Sequence, residues 1–472
     1  VLTFRSIKQL LFATALLVSA VAEAGYTSAS TFNGSTAPHF SRVKAIAVDS
    51  SFNTWAGGDF DGGTLKFGTT SISSPRSAAF LFKRTSSGSF PVVLKFETVT
   101  LGDEVQISGV AVDATGKVSV CGFFKGKITI GTTTLTSSAP SGLYSIFFAQ
   151  ISSSGSILQA ISSTNSDNSV SGKLVVDGSN NVYMTGFYKG TVSLAGLSLT
   201  SASSNEGFIL KISPTGTGLS KQVTSGTGTH FTTIWSASVN PADGSIFVAG
   251  NFQNNAKFGS TTLTAAANNG FVAKLDSSLN WVGAVAPSFS GTVTLASFAE
   301  ANDVQVSGTS VFVTGRFQTG SAGVALAFGP SILVSSGMDT YVATLNTTTP
   351  LAFSSANLGH TSDGAGKALA RSPSTGTVWN TGVIRNSANF SGTIVNATGY
   401  NHYLTSVSPA SVYANVTASS PGNNGGGAIT RAIAIGSNGQ IVVGGEIVGT
   451  ENFGSKKLTA SSTSAYIAFY TP

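Results

Sequence analysis

The feature that most constrains this chain is a seven-fold internal repeat with a period near 64 residues. The phrase Val182-Tyr183-Met184-Thr185-Gly186 recurs as Ile246-Phe247-Val248-Ala249-Gly250 and Val311-Phe312-Val313-Thr314-Gly315. Further copies end at Gly122, Gly382 and Gly445, and Trp55-Ala56-Gly57-Gly58 opens the series. The anchor glycines Gly58, Gly122, Gly186, Gly250, Gly315, Gly382 and Gly445 are 64, 64, 64, 65, 67 and 63 positions apart. Regular self-similarity of this kind marks a stacked architecture, in which each unit completes its core against its neighbours.

Each copy carries the same signals in the same order. A β-branched run such as Val43 to Asp49 or Val105 to Asp113 ends at a polar turn and precedes the anchor strand. An aromatic-Gly turn follows, as in Phe67-Gly68, Phe258-Gly259 and Phe453-Gly454. Next come an aromatic strand (Phe80 to Lys83, Phe208 to Lys211, Phe271 to Lys274) and a last short strand such as Val92 to Phe96. Alternation, β-branched and aromatic enrichment, and Gly/Asn/Ser punctuation specify strands, and no later stretch has apolar residues at helical spacing. Four strands repeated seven times predict an all-β, seven-bladed β-propeller over residues 25–472, with about 64 residues per blade. An open solenoid would leave terminal edges in need of caps. The last copy stops at its third strand, Tyr466 to Tyr470, while Ser28 to Phe32 is a spare strand at the other end. Residues 27–33 are therefore expected to pair with the final blade and close the ring.

The repeated phrases resemble those of secreted seven-bladed β-propeller repeat proteins, of the type found on bacterial and other surfaces. The resemblance covers residues 26–472 and is weakest in the sixth copy, where Asn389-Phe390-Ser391-Gly392 replaces the aromatic-Gly turn. It implies a fold and an extracellular life and no single activity, because function resides in sites grafted onto a fold.

Residues 1–24 read as a secretory signal peptide. Arg5 and Lys8 form its basic start, Leu10 to Ala22 an apolar run, and Ala22-Glu23-Ala24 a small-x-small cleavage site. The run is too short to span a bilayer, which takes about 20 residues. The alternative is a retained N-terminal helix acting as an anchor or polymerisation element. No transmembrane span is expected elsewhere.

Only 9% of residues are charged while 41% are hydrophobic, which excludes a disordered, charge-rich chain. The net charge of +6 arises from scarce acids and not from a basic cluster, so nucleic acid is not an expected partner. The lone Cys121 allows no intramolecular disulfide, and its apolar strand context predicts a buried, inert thiol.

Chemistry-bearing motifs are few. His39, His230, His360 and His402 have no metal-ligand spacing, and no zinc, P-loop, nucleophile-elbow or EF-hand motif is present. Asp59-Phe60-Asp61 lacks the further oxygens Ca²⁺ requires, and no metal or cofactor is expected. Asn423 to Gly427 precedes a strand, so it reads as a loop and not a phosphate cradle. Asp49, Asp113 and Asp177 each stand nine positions before an anchor glycine, which suits turn residues that bond their own backbone. Trp55, Tyr183, Phe247, Phe312 and Trp379 share one register and are expected to pack blade on blade. Lys83, Lys211 and Lys274 are expected to snorkel into solvent. Five N-x-[ST] sequons, at Asn33, Asn346, Asn389, Asn396 and Asn415, are expected glycosylation sites in a secreted protein.

These residues predict a secreted, extracellular structural or interaction protein that is not an enzyme. Its expected partners are other proteins, glycans or further copies of itself in a surface layer or filament. The alternative is a lectin-like module that uses the face carrying the loops between second and third and between fourth and first strands. A polysaccharide-active enzyme would need paired carboxylates near the axis, and the sequence offers no convincing pair.

Overall fold

The structure is a computed structural model describing residues 24–472, apart from 202, 203, 295 and 336 and the side chains of 422–425. The expected signal peptide, residues 1–24, therefore lies outside the described residues except for Ala24. The described chain is all-β with no helix. Consequently no helix among the described residues is long and apolar enough to cross a membrane.

Seven antiparallel four-stranded units, some merged by further pairings into larger sheets, follow one another along the described residues, and each is called a sheet below. Their first strands are Phe40–Val48 (sheet I), Glu104–Val112 (II), Ser169–Val176 (III), Phe231–Val239 (IV), Phe298–Ser307 (V), Gly364–Arg371 (VI) and Ser420–Ile435 (VII). In sheets I to VI the next three long strands in sequence complete the meander. Sheet VII takes its fourth strand from the other end of the chain. Gly25–Thr31 pairs antiparallel with the third strand Lys456–Thr471, from Gly25↔Thr471 to Thr31↔Tyr466.

The apolar alternation explains how the sheets assemble. Each sheet is hydrophobic on both faces, so one core lies between every two neighbours. Trp55 and Leu81 of sheet I pack with Val120 and Phe147 of sheet II. Equivalent cores join II to III, III to IV, IV to V, V to VI and VI to VII. The seventh joins VII to I through Ile467 and Phe469 against Phe60 and Phe80. First strands touch in the same cyclic order, ending with sheet VII against sheet I. Among the described residues no sheet closes on itself through hydrogen bonds; single parallel bridges, Phe40↔Thr463, Asn205↔Phe231 and Met338↔Asp363, join sheets VII to I, III to IV and V to VI, and side-chain packing supplies most of the remaining continuity. The N-terminal strand serves two cores, Tyr26 entering VI/VII and Phe32 entering VII/I.

Four strands per copy proves an undercount. The aromatic-Gly turn is a hairpin of its own, such as Thr64–Phe67 with Thr70–Ser73 or Lys127–Ile130 with Thr133–Thr136. Most hairpins reach the outer edge of the preceding sheet. Ile128 pairs with Thr98, Ser193 with Thr164, Ala327 with Ser288, and Phe390 with Gly359. In sheets IV and VII the hairpin is the tip of the long second and third strands; the bridge Ser225↔Lys257 makes the same contact for sheet IV, and in sheet VII Ser420↔Asn452 pairs the tip with the start of the sheet's own long first strand. Asn33↔Leu65 does so for the N-terminal strand. An outer strand would otherwise offer unpaired backbone groups to other chains; here part of most edges is covered by the next unit. The divergent sixth copy keeps the device, with Phe390 buried and Ser391 and Gly392 at positive φ in its turn.

Candidate binding site at the sheet axis

The anchor glycines mark how the axis is built. Opposite each one, the first strand carries a β-bulge, as between Val43 and Ala45 or Thr430 and Ala432. The bulge drives a first-strand carbonyl against the glycine Cα. A Cβ at any of the seven anchors would stand 1.7 to 2.3 Å from that oxygen, with Glu300 O opposite Gly315 the nearest. Such overlap is not accommodated without moving backbone, so only glycine fits.

The extra residues on the bulged strands are Lys44, Ser108, Gly172-Lys173, Trp235, Asn302, Lys367 and Arg431. A cavity of about 220 Å³ lies on the axis and is lined from all seven first strands, Lys44, Ser108, Lys173 and Asp303 among its walls. Asp303 is buried and ties four sheets together. Its carboxylate accepts from Lys173 Nζ of sheet III, Ser236 Oγ of sheet IV, its neighbour Val304 N (2.9 Å) and Leu369 N of sheet VI (2.6 Å).

Toward the end where second strands run out and first strands begin, two kinds of side chain gather. Around sheets V, VI, VII and I they are charged. Arg316 donates to both oxygens of Glu300 (2.7 and 2.9 Å), Arg431 to both of Glu446 (2.6 Å each), and Arg42 to Asp59 (2.5 Å). Lys44 donates to Gln106 Oε1 (2.7 Å) and stands 3.9 Å from Asp59. Among the described residues Lys367 has neither a hydrogen bond nor an ion pair. Burial, then Arg316 and Arg431, hold its amine down to about 8. Around sheets II to IV half-buried rings gather: Phe123 edge-on to Tyr144 (5.2 Å), whose hydroxyl donates to Glu104 (2.6 Å) of the Lys125–Glu104 ion pair, and Phe187 against Trp235 (5.6 Å) and Phe231 (6.3 Å).

No protein-family model matches the chain, and neither does any curated protein. Solved structures do. Hydrazine synthase of Kuenenia stuttgartiensis is 10% identical with a TM-score of 0.45, covering 93% of this chain and 99% of its own. The intramolecular trans-sialidase of Ruminococcus gnavus is 10% identical (TM-score 0.36; 95% and 97% covered). The phage phi92 endosialidase is 9% identical (TM-score 0.37; 94% and 68% covered). These are propeller-type proteins, and at this distance they assign the chain none of their activities. They also correct one expectation: because they include enzymes, the inference from missing motifs that this chain is not an enzyme is withdrawn.

The other sequence-predicted residues fall as follows. Asp49, Asp113 and Asp177 accept from backbone amides two and four residues ahead, each at 2.9 Å, as turn residues do. Asp59 and Asp61 face Arg42 and His39 respectively, and no metal-holding group of His, Cys, Asp or Glu occurs among the described residues. Cys121 is fully buried, which pushes its thiol up to about 11. The register aromatics are buried between sheets. Lys83, Lys211 and Lys274 do not extend freely into solvent; each ammonium lies 5.3 to 5.5 Å from the ring of Trp55, Tyr183 or Phe247. Asn346, Asn389, Asn396 and Asn415 are exposed, whereas Asn33 is half-buried and its amide nitrogen donates to Ser464 Oγ (2.6 Å).

Sequence reasoning passed over the axial residues altogether. Their only common signal is position, 13 to 15 residues before each anchor glycine, since lysine recurs in three copies while the others carry Ser, Trp, Asn and Arg.

Proposed function

We propose that the seven sheets are the blades of a secreted seven-bladed β-propeller, glycosylated and displayed outside the cell, that binds a saccharide ligand at the axial mouth. The leader sequence and the sequons support the extracellular reading. Five half-buried rings, Phe123, Tyr144, Phe187, Phe231 and Trp235, carry the ligand reading: they collect on one side of the mouth, on the face with the longer loops. Aromatic faces with one side open to water are what sugar C–H surfaces stack on, and concave sites combining apolar walls with a few polar groups are the usual ligand sites. A glycan array probed with the full chain tests this. Trp235→Ala and Phe187→Ala should each abolish the array signal; an undiminished signal in both rejects the mouth as the binding face.

A second reading, assembly into a surface layer or filament, is supported by the exposed apolar residues Leu101, Ile332, Val334 and Ile394, the last three on or beside the outer hairpins. Patches of this kind mark interaction surfaces when they are contiguous. Electron microscopy of the native protein distinguishes the two: isolated discs reject assembly, ordered arrays support it.

A further inference from the structure

The cations and carboxylates at the axial mouth do not balance. Arg42, Lys44, Arg316, Lys367 and Arg431 supply five positive charges, and Asp59, Glu300 and Glu446, with Asp363 beside Arg316, supply four negative ones. The Arg316–Glu300 and Arg431–Glu446 pairs are bidentate and close on themselves, which is the geometry that satisfies a guanidinium. Asp59 is shared between Arg42 and the more distant Lys44. Lys173 is spent on Asp303. Lys367 is left over: partly buried, without a hydrogen-bond or ion-pair partner among the described residues, and in the field of two guanidiniums that outweighs the field of Glu300 and Glu446. An ammonium drawn out of water and set beside like charges is costly unless an opposite charge joins it. Lys367 and Arg431 occupy the bulge positions of adjacent sheets, so such a charge would sit at the axis, across the mouth from the aromatic half.

We infer that Lys367 and its guanidinium neighbours form an anion subsite of this mouth, which takes the oxyanion of an acidic ligand while the aromatic half takes its apolar surface. This rests on the saccharide reading only for the source of the charge. A carboxylate on a sugar ring and a free phosphate offer the same oxygens, and a converging set of cations in a narrow polar channel attracts either.

Calorimetric titrations of the full chain with glucuronate, glucose and inorganic phosphate, at ionic strength held constant with chloride, separate these sources. Glucuronate should bind at least ten-fold more tightly than glucose. Lys367→Met should remove that preference, Lys367→Arg should keep it, and Lys66→Met, an exposed control, should leave it unchanged. Lys367→Met removes an unpaired charge, so its melting temperature should not fall, which separates lost binding from lost folding. Phosphate binding that depends on Lys367, with no sugar binding in any variant, supports the subsite and rejects the saccharide reading. Equal affinity for glucuronate and glucose without phosphate binding, or a preference that survives in Lys367→Met, overturns the subsite.

Discussion

The ammonium of Lys211 stands 5.3 Å from the ring centroid of Tyr183, its direct cross-strand partner, and 3.8 Å from Asp177 Oδ2. The Tyr183 hydroxyl donates to the same carboxylate oxygen at 3.1 Å. Lys83 with Trp55 and Asp49 repeats the arrangement in sheet I. Three residues that look independent in the sequence thus form one unit: the aspartate orders the turn, the ring enters the core, and the ammonium covers the ring's outer edge. Lys211→Met should cost about 0.5–1 kcal/mol, the size of an exposed cation–π contact with a weak ion pair. Tyr183→Ala should cost about 3–5 kcal/mol, because it empties a packed core. Urea denaturation of both variants measures the difference.

Glycines separate by geometry and not by their presence in the repeat. Gly315→Ala puts a methyl 1.7 Å from Glu300 O and should destabilise by about 3 kcal/mol or more. Gly283→Ala, also in a strand, meets nothing within 4 Å and should change stability by no more than about 0.5 kcal/mol. Thermal melts of the pair test the bulge as the reason for the anchors.

The N-terminal strand should behave as part of sheet VII. Tyr26 packs edge-on to Phe453 (5.4 Å) and Tyr470 (5.2 Å), and its hydroxyl bonds His402 Nε2. Tyr26→Ala should cost about 3–5 kcal/mol. Removing residues 25–32 bares the edge of Lys456–Thr471 and should produce concentration-dependent association, seen by light scattering. A monomeric, equally stable truncation would contradict this role.

His402 is fully buried, and desolvation lowers its imidazole to about 3. The unfolded chain takes up a proton below about 6.5 that the folded chain refuses, so this group's contribution falls as pH drops from there toward 3. Glu451, raised by burial to about 7, acts with the opposite sign: its contribution is lost as pH rises between about 4.5 and 7. The His402 effect should therefore emerge below about pH 4.5. His402→Gln should show a shallower loss of stability than wild type between pH 4.5 and 3, read from urea midpoints.

Lys367 titrates in the alkaline range. Its folded-state amine is held at about 8 against 10.5 when unperturbed, so between these values the unfolded chain binds the extra proton and stability rises with pH. Burial, Arg316 and Arg431 depress it while Glu300 and Glu446 oppose them. With allowance for solvent screening, the gain should be roughly 1–3 kcal/mol, and absent from Lys367→Met. Equal slopes in both proteins would reject this assignment.

Much of the fold can be read along the chain because its causes are local. Period-2 alternation specifies strands, the aspartates specify turns, the register of Trp55, Tyr183 and Phe247 specifies the buried face, and a spare strand at one end matches a missing strand at the other. The hairpins were harder to read: an aromatic-Gly pair signals a turn, but the edge it covers belongs to the preceding unit. The candidate site was not legible at all. Lys44, Ser108, Lys173, Trp235, Asn302, Lys367 and Arg431 have no single residue type in common, and successive members of the set lie 62 to 67 residues apart. A bulge leaves no mark of its own on a strand's composition; only the glycine opposite does so, because the displaced carbonyl leaves no room for a Cβ. By itself the sequence determined the repeating sheet and its buried faces. Tertiary structure alone decided what meets at the axis, because cyclic packing brings one extra residue from each bulge, two in sheet III, around a common centre.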